Sequence, residues 1–270
     1  MNIIEINNLT FRYGKKFIYD GFNLNIEKGS FVTIAGPNGS GKTTLVKILS
    51  GLVKSYSDIK IFGKPLYKKN INDIRKEMGI VFDVPDNYFA CETVEDELAF
   101  SLENMSVQPS TIKKKIKEIS KLLRLDSMLK ENPMELSGGE KQKLALACAL
   151  MLEPRILILD EALMMIDINE KKELLKLIKE YNQKKRVTIV YLTHDLEEAL
   201  YSDRIVVLNE GKIIIDGKIP FVFEEEVVMR KIGLEVPFII ELIKKLKVYE
   251  IIDNDNNFSN FERLVDYIWK

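Results

Sequence analysis

Nine consecutive residues, Gly36 to Thr44, read GPNGSGKTT and carry the clearest chemistry in the chain. They fit G-x-x-x-x-G-K-[ST] through Gly36, Gly41, Lys42 and Thr43. Glycines at this spacing let backbone N–H groups approach a polyphosphate, and a helix that starts at their end adds partial positive charge. Lys42 is then placed to reach the β- and γ-phosphates and the Thr43 hydroxyl to hold Mg²⁺, while Asn38, Gly39, Ser40 and Thr44 complete the nucleotide-binding loop. A pair of acids, Asp160 and Glu161, ends the stretch RILILDE (Arg155 to Glu161). In nucleotide hydrolases with a phosphate loop, an acid at such a strand end holds Mg²⁺ directly or through water, which suits Asp160. Glu161 is left to polarise the attacking water. The single histidine, His194, lies just past the strand-like VTIVYL, at the end of a parallel strand where α/β proteins bind ligands.

A third stretch, LSGGEKQKLALACALML (Leu136 to Leu152), reads as a capped apolar helix. Ser137 is a good N-cap, and Glu140 three residues later completes a capping box. Gly138 and Gly139 leave the helix start bare of side chains, making a second helix end able to accept an anion. One polyphosphate does not obviously need two such ends from one chain.

The elements that must position these residues alternate between strand and helix. FVTIA (Phe31 to Ala35) is a short β-branched strand before the phosphate loop, and Leu45, Ile48 and Leu49 share one face of the helix after it, with Gly51 as its stop. The first 30 residues read as antiparallel strands, with Ile4 and Ile6, then Leu9, Phe11 and Tyr13, then Phe22, Leu24 and Ile26 alternating with polar residues. Tyr13, at the first turn, is as suited to an ordinary sheet position as to stacking on a base. DIKIFGK and Met78 to Phe82 read as further strands, and Pro85 breaks regular structure in DVPDNYF. From Thr93 to about Leu150 the spacing turns helical, and the lysines of TIKKKIKEISKLLRL form a solvated face. A helix runs through Glu180, and DRIVVLNEGKIIIDG forms two strands around Asn209-Glu210-Gly211. Past Lys218 the pattern is helical again, ending in a capping box of Ser259 and Glu262. Phe258, Phe261, Tyr267 and Trp269 load this tail with aromatics, which either fill a small core or form an interface.

Composition narrows the function. The 270 residues hold 40 basic and 41 acidic side chains, a net charge of −1, so no global field draws the chain to nucleic acid or anionic lipid. Cys91 and Cys148 lie far apart in sequence without metal-ligand spacing, which argues against zinc and for a reduced, intracellular protein. The opening MNIIEINNLTF resembles neither a signal nor a transit peptide. The longest apolar run, Leu144 to Leu152, is about half of the ~20 residues that cross a bilayer, so the chain reads as soluble by itself.

The phosphate loop, LSGGE, LILDE, a downstream MMID and a late THD, in that order, resemble the ATPase subunit of ABC transporters over roughly Ile4 to Gly217. The resemblance implies a RecA-like α/β core around the phosphate loop, an antiparallel β subdomain, a helical insert at about 85–150 and a small C-terminal domain at 218–270, beyond an ATPase domain at 1–217. It implies two chains packed head to tail, a homodimer or a heterodimer with a second ABC ATPase, each ATP lying between one phosphate loop and the other chain's signature. Tyr13 would stack on adenine, Ser137 and Gly139, with Gly138 between them, would bind the partner's γ-phosphate, and Asp167 would belong to the loop crossing the interface. Glu161 would be the general base, His194 the γ-phosphate sensor, and Mg²⁺ would sit on Thr43, Asp160 and the residue at Asp83.

A narrower similarity lies in VFDVPDNYFACETVEDELAFSLENM and in GLEVPF (Gly233 to Phe238), which look like the energy-coupling factor (ECF) branch. There, two ATPases drive a transmembrane coupling protein and a substrate-binding membrane protein from the cytoplasmic face of the membrane, importing vitamins or transition-metal ions. Three positions depart from the family: Asp83 and Glu140 stand where it has Gln, and Met164 where it usually has a small polar residue. Asp83 matters most, because the family's Gln contacts Mg²⁺ and senses the membrane partner. It keeps open a partly degenerate, ATP-binding partner in a heterodimer. A soluble ABC-type ATPase acting on DNA or ribosomes would carry a coiled-coil insertion, zinc motifs or a basic tail, and a GTPase an Asn-Lys-x-Asp, none of which is present.

Overall fold

The computed structural model describes residues 1–83 and 89–252. The readings placed on Pro85 and its neighbours through Tyr88, on the Ser259–Glu262 capping box and on Phe258, Phe261, Tyr267 and Trp269 lie outside those residues.

Two sheets organise the chain. β1 (Asn2–Tyr13) and β2 (Lys16–Glu27) pair antiparallel, and β4 (Asp58–Ile61) and β5 (Lys64–Pro65) extend them in the order β2-β1-β4-β5. Their alternation matches a sheet with one face covered: Ile4, Ile6, Leu9, Leu24 and Ile26 are buried and the residues between them are mostly not. The second sheet contains β3 (Phe31–Ala35), β6 (Met78–Val81), β7 (Ile156–Asp160), β8 (Thr188–Thr193), β9 (Arg204–Asn209) and β10 (Lys212–Gly217) in the order β10-β9-β3-β8-β7-β6. All its neighbours run parallel except β10, which returns from β9 through Glu210 and Gly211, both at positive φ. β3, β7 and β8 are buried at every residue, which is why they read as unbroken apolar runs instead of alternating ones.

Helices cover this sheet. α1 (Lys42–Leu49) buries Leu45, Ile48 and Leu49 between the two sheets, and α2 (Ile71–Lys76) precedes β6. α3 (Val94–Asn104), α4 (Pro109–Leu122) and α5 (Gly138–Met151) form the helical insert, joined by short 3₁₀ turns. α5 packs against α3, α4 and β6, so its apolar run is a buried core helix. α4 buries Ile112, Ile116 and Ile119 and leaves Lys113, Lys114, Lys117 and Lys121 in solvent. Among the described residues no helix is long and apolar enough to cross a membrane.

α6 (Ile168–Lys185) and the short α7 (Leu196–Ala199) flank β8 in sequence. The described part of the tail holds α8 (Phe221–Glu224), α9 (Glu226–Lys231) and α10 (Phe238–Val248). Val222, Phe223, Met229, Leu234, Val236 and Ile240 share a core with Leu196 of α7 and with Ile205 and Val207 of β9. The tail therefore packs onto the sheet's edge, and Leu234 and Val236 of GLEVPF are part of that packing.

Two boundaries shift. The strand expected through Phe82 ends at Val81, and the helix expected through Glu180 continues to Lys185, where Arg186 at φ +54 stops it.

Candidate active site

The carboxyl ends of four adjacent parallel strands assemble the site. Ala35 pairs with Thr193, Asp160 with Leu192, and Val81 with Leu159, so the sheet order brings the segments after these strands side by side. The phosphate loop, His194, the Asp160–Glu161 pair and Asp83 therefore line one edge, the crevice where open α/β sheets bind ligands.

The loop is held by contacts that its motif does not reveal. Gly36 N–H donates to the Thr193 carbonyl at 3.1 Å, and Gly211 N–H to the Ser40 carbonyl at 3.0 Å. The Tyr19 phenol, fully buried on β2, donates to the Gly41 carbonyl at 2.9 Å. A Cβ on Gly36 would lie 2.2 Å from the Leu208 carbonyl oxygen, and Gly41 sits at φ +115, a conformation L side chains rarely adopt. Asn38 and Gly39 at the loop's tip are exposed, and the buried Ser40 hydroxyl has no hydrogen-bond partner. Gly41 gives α1 no side-chain cap, and no acid occupies the first turn, so the helix end keeps its N–H donors and partial positive charge.

Lys42 is buried and folds back over the loop. Its Nζ donates to the Gly36 carbonyl at 2.6 Å and the Pro37 carbonyl at 3.2 Å. Glu161 Oε1 lies 3.4 Å from that Nζ, an ion pair by distance that lacks hydrogen-bond alignment. Glu161 Oε2 meets His194 Nδ1 at 2.8 Å. Glu161 is held left-handed at φ +52, unusual for a residue with a Cβ, and its N–H donates to the Leu192 carbonyl. Lys42, Glu161 and His194 thus form one continuous set. An Nδ1–H donated to the carboxylate leaves His194 Nε2 for an incoming group.

Asp160 is fully buried, and neither carboxylate oxygen makes a hydrogen bond of full geometry, the Thr43 hydroxyl being a donor set loosely against it. Burial pushes its carboxyl from the usual 3.8 up to about 6, helped by the negative charges of Asp83 and Glu161 and opposed by the Thr43 hydroxyl and Lys42. A buried carboxylate without full hydrogen bonds is costly unless it is built to meet a cation. With the Thr43 hydroxyl beside it, the donor set is hard oxygen, as Mg²⁺ prefers, and phosphate oxygens would supply the remaining ligands. No cluster of three His, Cys, Asp or Glu stands among the described residues, so a metal here needs the nucleotide's oxygens.

Asp83 is exposed and is coupled to Asp160 through their charges. Its backbone carbonyl accepts from Gln142 Nε2 at 3.4 Å, while Gln142 Oε1 accepts from Met165 N–H at 2.8 Å. Buried Gln142 thus ties the Asp83 segment and the Met164–Met165 loop to α5; it lies in the polar run Glu140 to Lys143, so nothing in the sequence set it apart.

The remaining expected residues lie elsewhere. Ser137 is exposed at the start of α5, with the capping box closed by Glu140. Gly138 and Gly139 pack against Met165, not against the phosphate loop. Asp167 caps α6 through Asn169 N–H at 2.9 Å. Tyr13 is 47% exposed, edge-on to Phe11, at the tip of the hairpin whose Tyr19 supports Gly41. Cys91 and Cys148 are free thiols that meet at Glu97: Glu97 Oε2 accepts from Cys91 N–H, and its carbonyl contacts Cys148 Sγ.

The chain matches the family model described as ABC transporter over residues 19–164. It is 40% identical to the energy-coupling factor transporter ATP-binding protein EcfA1 of Ligilactobacillus salivarius over 99% of this chain and 95% of that protein. The corresponding EcfA of Pediococcus pentosaceus is 41% identical over 91% of this chain and 89% of its own length. Among solved structures, cbiO1 from Clostridium perfringens, described as part of the ABC transporter complex cbiONQ, superposes with a TM-score of 0.77 at 32% identity, covering 90% of this chain and 99% of that one. A dimeric ATP-binding cassette in a post-hydrolysis state, bound to ADP and Pi, superposes at 0.73 with 28% identity, covering 80% of this chain and 98% of its own.

Proposed function

The chain belongs to the ABC transporter ATP-binding family, in its energy-coupling factor branch, and from that premise we propose how its own residues drive transport. The loop from Gly36 to Thr44, including Asn38, Gly39, Ser40 and Gly41, cradles the polyphosphate of ATP, with Lys42 at the β- and γ-phosphates and Tyr13 against adenine. Thr43 and Asp160 would hold Mg²⁺, with Asp83 contributing beside them. Mg²⁺ bound there would neutralise negative charge on the β- and γ-phosphates. Glu161 is the general base for the attacking water, and His194, held through Nδ1, senses the γ-phosphate with its other nitrogen.

The observation that carries this reading is Asp160, a fully buried carboxylate whose oxygens make no hydrogen bond of full geometry and whose charge is eased only by the Thr43 hydroxyl and Lys42. It makes sense as a ligand to a cation that arrives with the nucleotide.

The signature helix end completes the site of a second chain. Ser137 is exposed and Gly138 and Gly139 pack against Met165, so a copy or a related ATPase packed head to tail would receive this helix end on its γ-phosphate, with Asp167 in the crossing loop. The membrane coupling protein docks in a groove of about 420 Å³ lined by Leu52, Phe82, Phe89, Phe100 and Cys148. Phe82 lines the groove and directly precedes Asp83, so a partner seated there would be felt beside Asp160. Working at the cytoplasmic face of the membrane, the chain powers import of a vitamin or a transition-metal ion, with residues 1–217 as the ATPase domain and 218–270 as its extension.

A titration tests the metal assignment. ATP affinity of the purified chain is expected to rise with Mg²⁺, and Asp160→Ala to flatten that dependence by at least about tenfold. Superimposable titrations of wild type and variant would overturn it.

A further inference from the structure

Glu198, on α7, is 6% exposed, and the roles proposed above leave it unused. Its Oε2 accepts from the Tyr191 phenol at 2.8 Å and from the Thr193 hydroxyl at 2.6 Å. Its Oε1 lies 2.7 Å from Lys171 Nζ. A buried carboxylate is tolerated only when paired and hydrogen-bonded, and here all of that pairing goes to elements of the active site. Tyr191 and Thr193 are the last odd positions of β8, and His194 comes directly after them. Thr193 Oγ1 also accepts from Asp195 N–H at 3.0 Å, and the Thr193 carbonyl receives Gly36 N–H, so the residues on either side of His194 are fixed by one cluster. On the far side, Lys171 N–H donates to the Asp167 carbonyl at 2.7 Å, one turn into the helix that Asp167 caps.

His194 itself is half exposed and meets the protein through Glu161, so backbone position decides where its ring stands. Burial and Glu198 together raise the Tyr191 phenol well above its usual range, which keeps it a donor and fixes the direction of the network.

We infer that Glu198 is a positioning residue for ATP hydrolysis: it holds the Tyr191–Thr193 strand end so that His194 meets Glu161, and through Lys171 it ties that register to the helix headed by Asp167. The inference rests on the role of His194 proposed above.

The test is a double-variant cycle in the chain assembled with its membrane partners, reading turnover and KM for ATP. Glu198→Gln keeps an acceptor for Tyr191 and Thr193 but sets an amide against Lys171. It is expected to lower kcat about tenfold with KM changed less than about twofold, the signature of misplaced chemistry and not of lost binding. Combined with His194→Ala it should cost nothing further, because both variants remove the same interaction. Tyr191→Phe, which deletes one donor and keeps the ring, should lose kcat severalfold in the same pattern if Glu198→Gln folds poorly. Wild-type turnover in Glu198→Gln and Tyr191→Phe, or losses that multiply in the double variant, would overturn the positioning role while leaving His194 in place. Wild-type turnover in His194→Ala alone would overturn the assignment of His194, and the inference with it.

Discussion

The two glycine-bearing helix starts, those of α1 and α5, look alike as strings and differ as structures. At α1, Gly41 is needed for its left-handed backbone, no side chain caps the helix, and the free N–H groups face a loop backed by Lys42, Asp160 and Glu161. At α5 the N-cap is already satisfied: Glu140 Oε2 accepts from Ser137 N–H at 2.8 Å and from its hydroxyl at 2.6 Å. The glycines there serve close approach, since a Cβ on Gly138 would lie 2.7 Å from Met165 Sδ and one on Gly139 3.2 Å from the Met165 carbonyl. On the reading proposed above, an uncapped helix end with buried acids beside it supplies the metal-binding and catalytic part of a site. A capped one with an exposed serine is half of a site. The contrast fits the proposal that the second end serves another chain's nucleotide, which would account for two anion-accepting ends in one chain.

The sharpest way to separate the two ends is to remove chemistry from one and keep binding at both. Glu161→Gln keeps the residue's size and its left-handed backbone but loses the base. Turnover of the assembled complex should fall by about 10²-fold or more while ATP binding persists and the closed dimer accumulates. A fall of less than about tenfold in steady-state hydrolysis would assign the base to another residue.

A second experiment asks how much strain the complete site stores. Because the Asp160 carboxyl is raised from 3.8 to about 6 in the fold, the folded chain binds more proton than the unfolded chain between those values. Stability of the nucleotide-free protein therefore falls as pH rises through that window and stays low above it. Asp160→Asn removes the charge, so it should stabilise the nucleotide-free chain by about 1–2 kcal/mol at pH 7.5, less than the full shift because the asparagine still buries an amide that must find partners. The gain should vanish near pH 4, where wild-type Asp160 is itself protonated. Thermal unfolding across pH decides. A variant no more stable than wild type at pH 7.5 would mean that the lone carboxylate is relieved within the chain.

The sequence made the complete site legible because each of its parts is local. Strand, loop and helix start are contiguous from Phe31 to Leu49, and the acids and His194 each close a buried strand. What it could not show were contacts between distant segments. Tyr19 reaches Gly41 only because a bulged hairpin folds over the loop, and Gln142 joins two loops that lie on either side of it in sequence. The packing of Gly138 and Gly139 on Met165 was equally hidden, so their pairing read as anion chemistry alone. The Met164 that breaks the family's usual small polar residue is 57% exposed and needs no room inside this chain. The core-or-interface alternative for Phe258, Phe261, Tyr267 and Trp269 falls outside the described residues, while the described part of the tail shares a core with α7 and β9.

The smallest expected effect sits at the half-site, in Glu140. Its carboxyl lies below the usual range because the Ser137 hydroxyl and N–H both donate to it, so it is ionised at neutral pH at a helix end meant to receive phosphate. Near a helix N-terminus an acid offsets the partial positive charge by roughly 0.3–1 kcal/mol, favourable to the lone chain and unfavourable to an arriving anion. Glutamine keeps the oxygen that accepts from Ser137 N–H, so the capping box survives while the charge goes. Glu140→Gln, made in the Glu161→Gln background so that hydrolysis does not interfere, should tighten ATP-dependent dimerisation about three- to fivefold and leave the melting temperature of the nucleotide-free chain within about 1 °C. The gain should shrink as salt is raised, since the group is exposed to solvent and its field is screened. Analytical ultracentrifugation with and without ATP reads both constants. An unchanged dimer constant at low salt would show that no partner phosphate approaches Ser137, and the division into a complete site and a half-site would fail.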